Sequence, residues 1–151
     1  MINDPNTYRL EHILREAKGM VNADAGTLYL KTDHDTLAFA IMLNDTLGMV
    51  QGGESGKPVS FPEVPLKRDD GQPDLHHIAA RAAIMGKTIN IANVYDEEDI
   101  DFTGTLRFDK MTGYKSRSFL TIPLKNYAEE TIGVLQLLNA RNDQGETIPF
   151  E

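Results

Sequence analysis

The 151-residue sequence contains no cysteine. This absence excludes disulfide bonds, thiolate catalysis, cysteine-ligated zinc sites and thioether attachment of a bilin chromophore. The sequence also has no apolar run near the ~20 residues that a membrane-spanning helix requires, and no basic N-terminal stretch followed by an apolar core, as secretion would require. We therefore expect a soluble, cytoplasmic protein without a membrane partner.

Basic residues are few relative to acidic ones, since 15 Lys and Arg against 23 Asp and Glu give a formal net charge of -8. This balance excludes the basic footprint that non-specific binding to nucleic acid or anionic lipid needs. Four basic residues lie between Arg107 and Arg117 against Asp109 alone, whereas five carboxylates lie between Asp96 and Asp101. A bound anion would be attracted to the basic segment.

The length suits one domain with one apolar core, and apolar residues at 40% are close to ordinary globular usage. We therefore expect residues 1–151 to form a single domain. Residues 146–151 resemble the lead-in to another helix. We expect the domain to be truncated before its C-terminal helix.

Apolar residues recur at helical spacing in two segments. The first helix should begin at Asp4 and Pro5, which are typical of an N-cap and of the first helical position. Its apolar stripe consists of Leu10, Ile13, Leu14, Ala17 and Val21. The second helix should be capped near Asp74 and end at Gly86. Its stripe consists of Leu75, Ile78, Ala79, Ala82 and Met85. A short helix that ends at Gly113 is predicted over residues 103–111.

Alternation of apolar and polar residues predicts two antiparallel hairpins, over residues 26–43 and 116–139. In the second strand of the first hairpin, one face should carry Leu37, Phe39, Ile41 and Leu43. Residues 44–74 form a connection long enough to be a functional lid, with a short strand expected at 58–61. Together with a strand at 88–91, the pattern predicts an α+β fold with an antiparallel sheet.

The last predicted strand is apolar on both faces. Val134 and Leu138 point one way while Leu135 and Leu137 point the other, so the strand should be central and covered on both sides. Gln136 lies on the first of these faces and needs a hydrogen-bond partner there. A ligand is one candidate for that partner.

The sequence shows no motif that indicates catalysis or metal binding. His76 and His77, if helical, point about 100° apart and cannot face one ion, so we interpret them as solvated helix-surface residues. His34 and Asp35 fall in a predicted hairpin turn, without the additional ligands of a metal-dependent phosphohydrolase. No serine lies in a nucleophile elbow. We expect no catalytic residue, no metal site and no required cofactor.

Three segments carry a resemblance to a known family. Residues 88–95 read TINIANVY, residues 108–124 read FDKMTGYKSRSFLTIPL, and residues 132–139 read IGVLQLLN. In order and spacing they are similar to the GAF domains of cyclic-nucleotide phosphodiesterases, adenylyl cyclases and HD-GYP-type bacterial signalling proteins. The resemblance implies a profilin-like, six-stranded antiparallel sheet with helices on one face. On the other face it implies a ligand pocket under loops and short helices.

The resemblance also implies where a ligand would bind. In nucleotide-binding members of the family the base stacks in the pocket, and the phosphate meets backbone N–H groups at a helix start, which suits an anion. By resemblance, Ile78 and Ala79 fall at that helix. Asp109 and Thr112 match polar contacts, and Ser116 replaces a threonine.

Several positions depart from the family's pattern. Leu43 and Asn44 stand where binders often carry the Phe-Asp pair that grips the base, and Gln136 replaces a glutamate. His77 and Ala80 replace glycines beside the phosphate helix. The candidate ligand-binding residues are Leu43, Asn44, Ile78, Ala79, Asp109, Thr112, Ser116 and Gln136.

Two hypotheses of function remain open at this point. In the first, a non-catalytic sensor domain binds a small molecule, such as a cyclic nucleotide, and controls a covalently attached effector such as a phosphodiesterase. In the second, the pocket is filled by its own side chains and the domain forms a homodimer that aligns effector domains. Enzymatic activity is a distant third hypothesis.

Overall fold

The computed structural model describes residues 5–55, 57–59 and 61–151, and within them the chain forms three α-helices and eight β-strands. The helices are α1 (Pro5–Met20), α2 (Ile78–Met85) and α3 (Thr103–Thr112). The strands are β1 (Ala23–Lys31), β2 (Thr36–Asn44), β3 (Met49–Gly52), β4 (Val64–Pro65), β5 (Ile89–Ile91), β6 (Phe119–Lys125), β7 (Thr131–Arg141) and β8 (Thr147–Ile148). Helix α1 begins at Pro5 as predicted, and its predicted cap, Asp4, lies outside the described residues.

The strands form one antiparallel sheet in the order β3-β2-β1-β7-β6-β5, with β4 paired to β2 and β8 paired to β7. Strand β7 is central, as its two apolar faces predict. In its register Gln136 lies opposite Thr27 of β1 and Thr121 of β6. The predicted α+β fold with a six-stranded antiparallel path is confirmed.

Helix α1 covers one face of the sheet and forms the main apolar core with it. Leu14 of α1 is fully buried against Leu28 of β1 and Leu137 of β7. Phe150, after β8, is 6% exposed and completes this core. The last described residues therefore pack against the sheet beside α1.

The predicted single apolar face of β2 is wrong, because a β-bulge divides it. Leu28 pairs with Ile41 but Tyr29 pairs with Phe39, which leaves Ala40 as the extra residue. A bulge shifts the alternation by one position. Ile41 and Leu43 therefore pack on the α1 side, whereas Leu37 and Phe39 pack on the opposite side with α2.

The predicted strand at 58–61 is also wrong. Residues 58, 59 and 61 belong to no strand, and the connection forms β3 and β4 on either side of them. Pro58 and Pro62 have no N–H group to donate to a neighbouring strand, which disfavours pairing in this stretch.

Both predicted helical stripes are wider than the faces that the helices bury. Ile13 is 47% exposed because α1 contacts the sheet through an arc centred on Leu14, and Val21 lies after the helix ends at Met20. In α2, Met85 is 46% exposed. Helix α2 begins at Ile78, later than predicted. Asp74 accepts hydrogen bonds from the amides of His76 and His77 and so forms a turn before the helix.

Candidate ligand-binding cavity

The face of the sheet opposite α1 borders a cavity of about 330 Å³. Its floor consists of residues from β1, β2 and β7, including Tyr29, Phe39 and Gln136. Its cover consists of residues 61–65, the start of α2 and one side of α3 from Thr103 to Met111. The lining is mostly apolar and aromatic, with polar side chains at a few positions. This distribution is typical of sites for small organic molecules.

Gln136 is fixed in the cavity floor by two neighbouring hydroxyl groups. The Tyr29 hydroxyl donates to Gln136 Oε1 over 3.4 Å, and Gln136 Nε2 donates to Thr121 Oγ1 over 3.1 Å. Both partners come from the strands beside β7. Burial raises the pKa of Tyr29, which keeps its hydroxyl protonated as a donor. The hydrogen-bond partner that the sequence required for Gln136 is therefore supplied by the protein.

A second polar group, at the end of α3, lies behind the cavity wall. The carboxylate of Asp109, 9% exposed, accepts hydrogen bonds from the Ser116 amide (3.0 Å), the Ser116 hydroxyl (2.8 Å) and the Tyr95 hydroxyl (2.7 Å). Ser116 lines the cavity and is nearly fully buried. Asp109 thereby positions Ser116 and ties α3 to the chain that leads into β6.

The segment between α3 and β6 is also held in place by a buried polar network. The Tyr114 hydroxyl donates to Asp24 Oδ2 over 2.7 Å and accepts from Asn139 Nδ2 over 3.0 Å. Asp24, 3% exposed, also accepts from Thr46 Oγ1 and Arg141 Nη1. Burial, followed by the Asp24 carboxylate, raises the pKa of Tyr114. This network fixes the segment between α3 and β6 that carries the family resemblance.

His77 and Asp101 line the cavity where α2 and α3 begin. The interpretation of His77 as a solvated helix-surface residue is wrong: its Nδ1 is buried and has no hydrogen-bond partner among the described residues. Burial lowers the pKa of His77, although Asp74 and Asp101 act in the opposite direction. Hydrogen bonds from the hydroxyl and amide of Thr103 lower the pKa of Asp101. The neutral imidazole and the carboxylate are both favoured near neutral pH.

Four aromatic rings follow one another along the cavity, and we call them the aromatic row: Tyr29, Phe39, Phe61 and Phe108. Successive ring centroids are 4.7, 5.5 and 6.0 Å apart, and all four rings line the cavity. Tyr29 is buried, whereas the other three rings are partly exposed. The row leads from the sheet through the connection between β3 and β4 to α3. Phe108 then contacts the buried Tyr114 edge-on at 6.2 Å.

Five of the eight residues that the sequence singled out line the cavity together: Leu43, Asn44, Ile78, Ser116 and Gln136. Ala79 of α2 is fully buried in the core between that helix and the sheet, and Asp109 lies behind Ser116. The Thr112 hydroxyl donates to the Phe108 carbonyl within α3. The predicted ligand contacts of all eight residues remain predictions.

His77 and the aromatic row line the cavity but were not among the residues predicted from the sequence. Phe39 was placed on one face with Ile41 and Leu43 because alternation does not reveal the bulge that separates them. Phe61 was expected in a strand, although its place within a long connection was a signal for a lid. Phe108 directly precedes Asp109 in the resembling segment and could have been found there.

The fold is similar to solved GAF domain structures. A GAF domain region from Geobacter sulfurreducens aligns over 91% of this chain and 81% of its own, with 12% sequence identity and a TM-score of 0.57. The Staphylococcus aureus NreA protein, mutated in its nitrate-binding site, aligns over 95% of this chain and 89% of its own, with 14% identity and a TM-score of 0.54. At such identities the likeness shows the fold alone.

A sequence model of the GAF domain matches residues 9–150. The chain belongs to the GAF domain family.

Among curated relatives, the chain is 41% identical over 69 residues to the dual 3',5'-cyclic-AMP and -GMP phosphodiesterase 11A of Takifugu rubripes. It is 31% identical over 67 residues to the dual 3',5'-cyclic-AMP and -GMP phosphodiesterase 11 of Drosophila melanogaster. These matches cover 46% and 44% of this chain but only 7% and 4% of the relatives' own lengths.

These findings support a regulatory or sensor role in signal transduction for the domain. GAF domains are in general regulatory and non-catalytic. Within the described residues, no helix is long and apolar enough to cross a membrane.

Proposed function

We propose that this domain senses a small organic molecule, which binds in the cavity and thereby controls an effector domain attached in the same protein. The cavity carries this proposal. It has about 330 Å³, aromatic walls and a few oriented polar groups, and small-molecule sites usually combine these features in volumes of about 300–1,000 Å³.

A cyclic nucleotide is the first ligand to test, and the attached effector we propose is a phosphodiesterase. The relatives named above are cyclic-nucleotide phosphodiesterases, and the cavity's chemistry is compatible with such a ligand. The first turns of α2 and α3 border the cavity, and helix N-termini attract anions such as a phosphate. Arg107 adds a positive charge, while Glu63 and Asp101 can accept hydrogen bonds from ribose hydroxyls.

The proposed signal is a change in the cover of the cavity. Residues 61–65 lie over the cavity and are joined to strand β2 through the short strand β4. A ligand that binds one arrangement of this segment more tightly than another shifts the population between them. An effector domain that contacts the segment or α3 would respond to that shift.

Calorimetry and thermal unfolding with cyclic AMP and cyclic GMP test the nucleotide version. At a ligand concentration of 100 times Kd, we expect the melting temperature to rise by about 5–10 °C. Gln136→Met should weaken binding about five- to tenfold, because the amide has a second N–H and a second lone pair, beyond those that Thr121 and Tyr29 engage, for hydrogen bonds to the ligand. The matched variant Gln144→Met, in the exposed turn before β8, should bind like the unmodified chain. If neither nucleotide gives a heat of binding or a thermal shift, the nucleotide version of the proposed function is wrong.

A ligand-independent homodimer is the second candidate function, and the outer face of α1 favours it. Ile13 and Met20 are seven residues apart and therefore share one face of the helix. Their side chains are 47% and 83% exposed. Such exposed apolar residues can form a seam between two helices. Light scattering should then report a dimer with and without nucleotide, and Met20→Glu should dissociate it. A monomer at all concentrations would exclude this candidate.

A further inference from the structure

The aromatic row contains more open ring surface than packing alone requires. Phe39, Phe61 and Phe108 are large apolar side chains, yet all three are partly exposed and line the cavity. On the other side of the sheet, residues of similar size such as Leu14 and Ile41 are at most 1% exposed. The cavity side therefore leaves apolar surface that a ligand can bury.

We propose that Phe61 and Phe108 form a clamp that holds the flat face of a planar aromatic ligand and so select the chemical class that the cavity accepts. This inference rests on the proposed function, because it concerns the same cavity. The clamp proposal is more specific than the proposed function, since it assigns the recognition of the ligand's ring to two residues of this chain.

At the position where the family resemblance implies a stacking aromatic ring, this chain has no aromatic residue. Leu43 stands there, and its aliphatic side chain packs in the core with Leu14 and Ile41. Phe61 and Phe108 instead contact each other in a tilted arrangement, with ring centroids 6.0 Å apart and planes at 54°. Phe39 extends this contact at 5.5 Å from Phe61. Aromatic rings favour offset and tilted contacts at such separations, and a ligand ring can join them in the same way.

The two rings of the clamp belong to different parts of the cover. Phe108 is on α3, whose position is tied to the chain before β6 through Asp109 and Ser116. Phe61 lies between β3 and β4, outside any strand or helix. Insertion of a ligand ring therefore requires displacement of the connection that carries Phe61, while the sheet and α3 keep their places.

Two neutral compounds of nearly equal size test the clamp, and neither contains a phosphate or a ribose. 2-Naphthol is planar and aromatic, whereas decahydro-2-naphthol is saturated and puckered. Backbone amide chemical shifts of the ¹⁵N-labelled chain would be followed during titration with each compound. We expect 2-naphthol to bind at least about fivefold more tightly and to shift the amides of Ser116 and Gln136. This comparison uses the unmodified chain and requires no variant to fold.

Variants then assign the effect to the two rings. Phe61→Leu and Phe108→Leu keep an apolar side chain and should each weaken 2-naphthol binding about two- to tenfold. Each should leave the affinity for decahydro-2-naphthol within about twofold. Tyr127→Leu removes a fully exposed ring from the turn between β6 and β7. It is the matched control and should change neither affinity.

Equal binding of the two compounds, or equal losses for both compounds in the clamp variants, would overturn the clamp. Its failure can be distinguished from failure of the proposed function. If cyclic nucleotides do not bind but 2-naphthol binds through Phe61 and Phe108, the clamp stands and the ligand is another aromatic molecule. If a cyclic nucleotide binds equally well to both clamp variants, the sensor stands and the clamp is wrong.

Discussion

The two faces of the sheet are built from the same strands but packed in opposite ways. On the α1 side, Leu14, Leu28 and Leu137 are at most 1% exposed and form a closed apolar core. On the other side, partly exposed rings and Gln136 border a cavity of about 330 Å³. Close packing of these side chains stabilises the fold. The second face can therefore keep an open volume for a ligand.

Strand β7 shows how one segment serves both purposes. Its side chains alternate, so Leu135 and Leu137 enter the α1-side core while Val134 and Gln136 face the other side. Gln136 would be costly in the closed core, since a buried amide needs hydrogen-bond partners. Tyr29 and Thr121 supply those partners on the cavity side.

The largest expected effect of a single substitution lies in the closed core. Leu28→Ala should lower the free energy of unfolding by about 3–5 kcal/mol, because it leaves a cavity among fully packed side chains. Leu106→Ala, at a residue of α3 that is 44% exposed, should change it by less than about 0.5 kcal/mol. Urea denaturation measures both values. Similar losses in the two variants would contradict the contrast between the faces.

A somewhat smaller effect is expected from the polar network at the end of the sheet. Asp24→Ala should cost about 2–3 kcal/mol, because Tyr114 and Thr46 lose a buried acceptor. Asp143→Ala, in the exposed turn between β7 and β8, should be nearly neutral. If Asp24→Ala were also neutral, the network would not be what fixes the segment between α3 and β6.

The sequence was sufficient for the features that follow from regular patterns. The alternation in β7 predicted a central strand, and the glycines after α2 and α3 predicted the helix ends, where Gly86 and Gly113 adopt positive φ. The bulge at Ala40 could not be predicted, because only pairing with β1 makes it necessary. The burial of His77 depends on where α2 begins, and tertiary contacts determine that start.

The site was accessible to sequence reasoning only in part. The family resemblance pointed to Leu43, Asn44 and Gln136, and all three line the cavity. Phe61 was missed because its contacts with Phe39 and Phe108 join residues far apart in sequence. No local pattern encodes such contacts.

The smallest expected effect is a pH dependence of stability on the cavity side. Burial holds the pKa of His77 below its ordinary value of 6.5, so the unfolded chain binds more protons than the folded chain between the two pKa values. The free energy of unfolding should therefore decrease as the pH falls from about 7 through 6.5 towards the folded pKa. His77→Gln should remove this part of the slope in urea denaturation at a series of pH values. An unchanged slope would mean that His77 is solvated.

The central claim is that ligands bind on the cavity side of the sheet and not on the α1 side. Amide chemical shifts of the ¹⁵N-labelled chain during titration with cyclic AMP, cyclic GMP and 2-naphthol test it most directly. We predict saturable shifts at Asn44, Ser116 and Gln136 with at least one of these compounds, and no saturable shift at Leu14 or Phe150. Saturable shifts at Leu14 and Phe150, or none anywhere with all three compounds, would contradict the account.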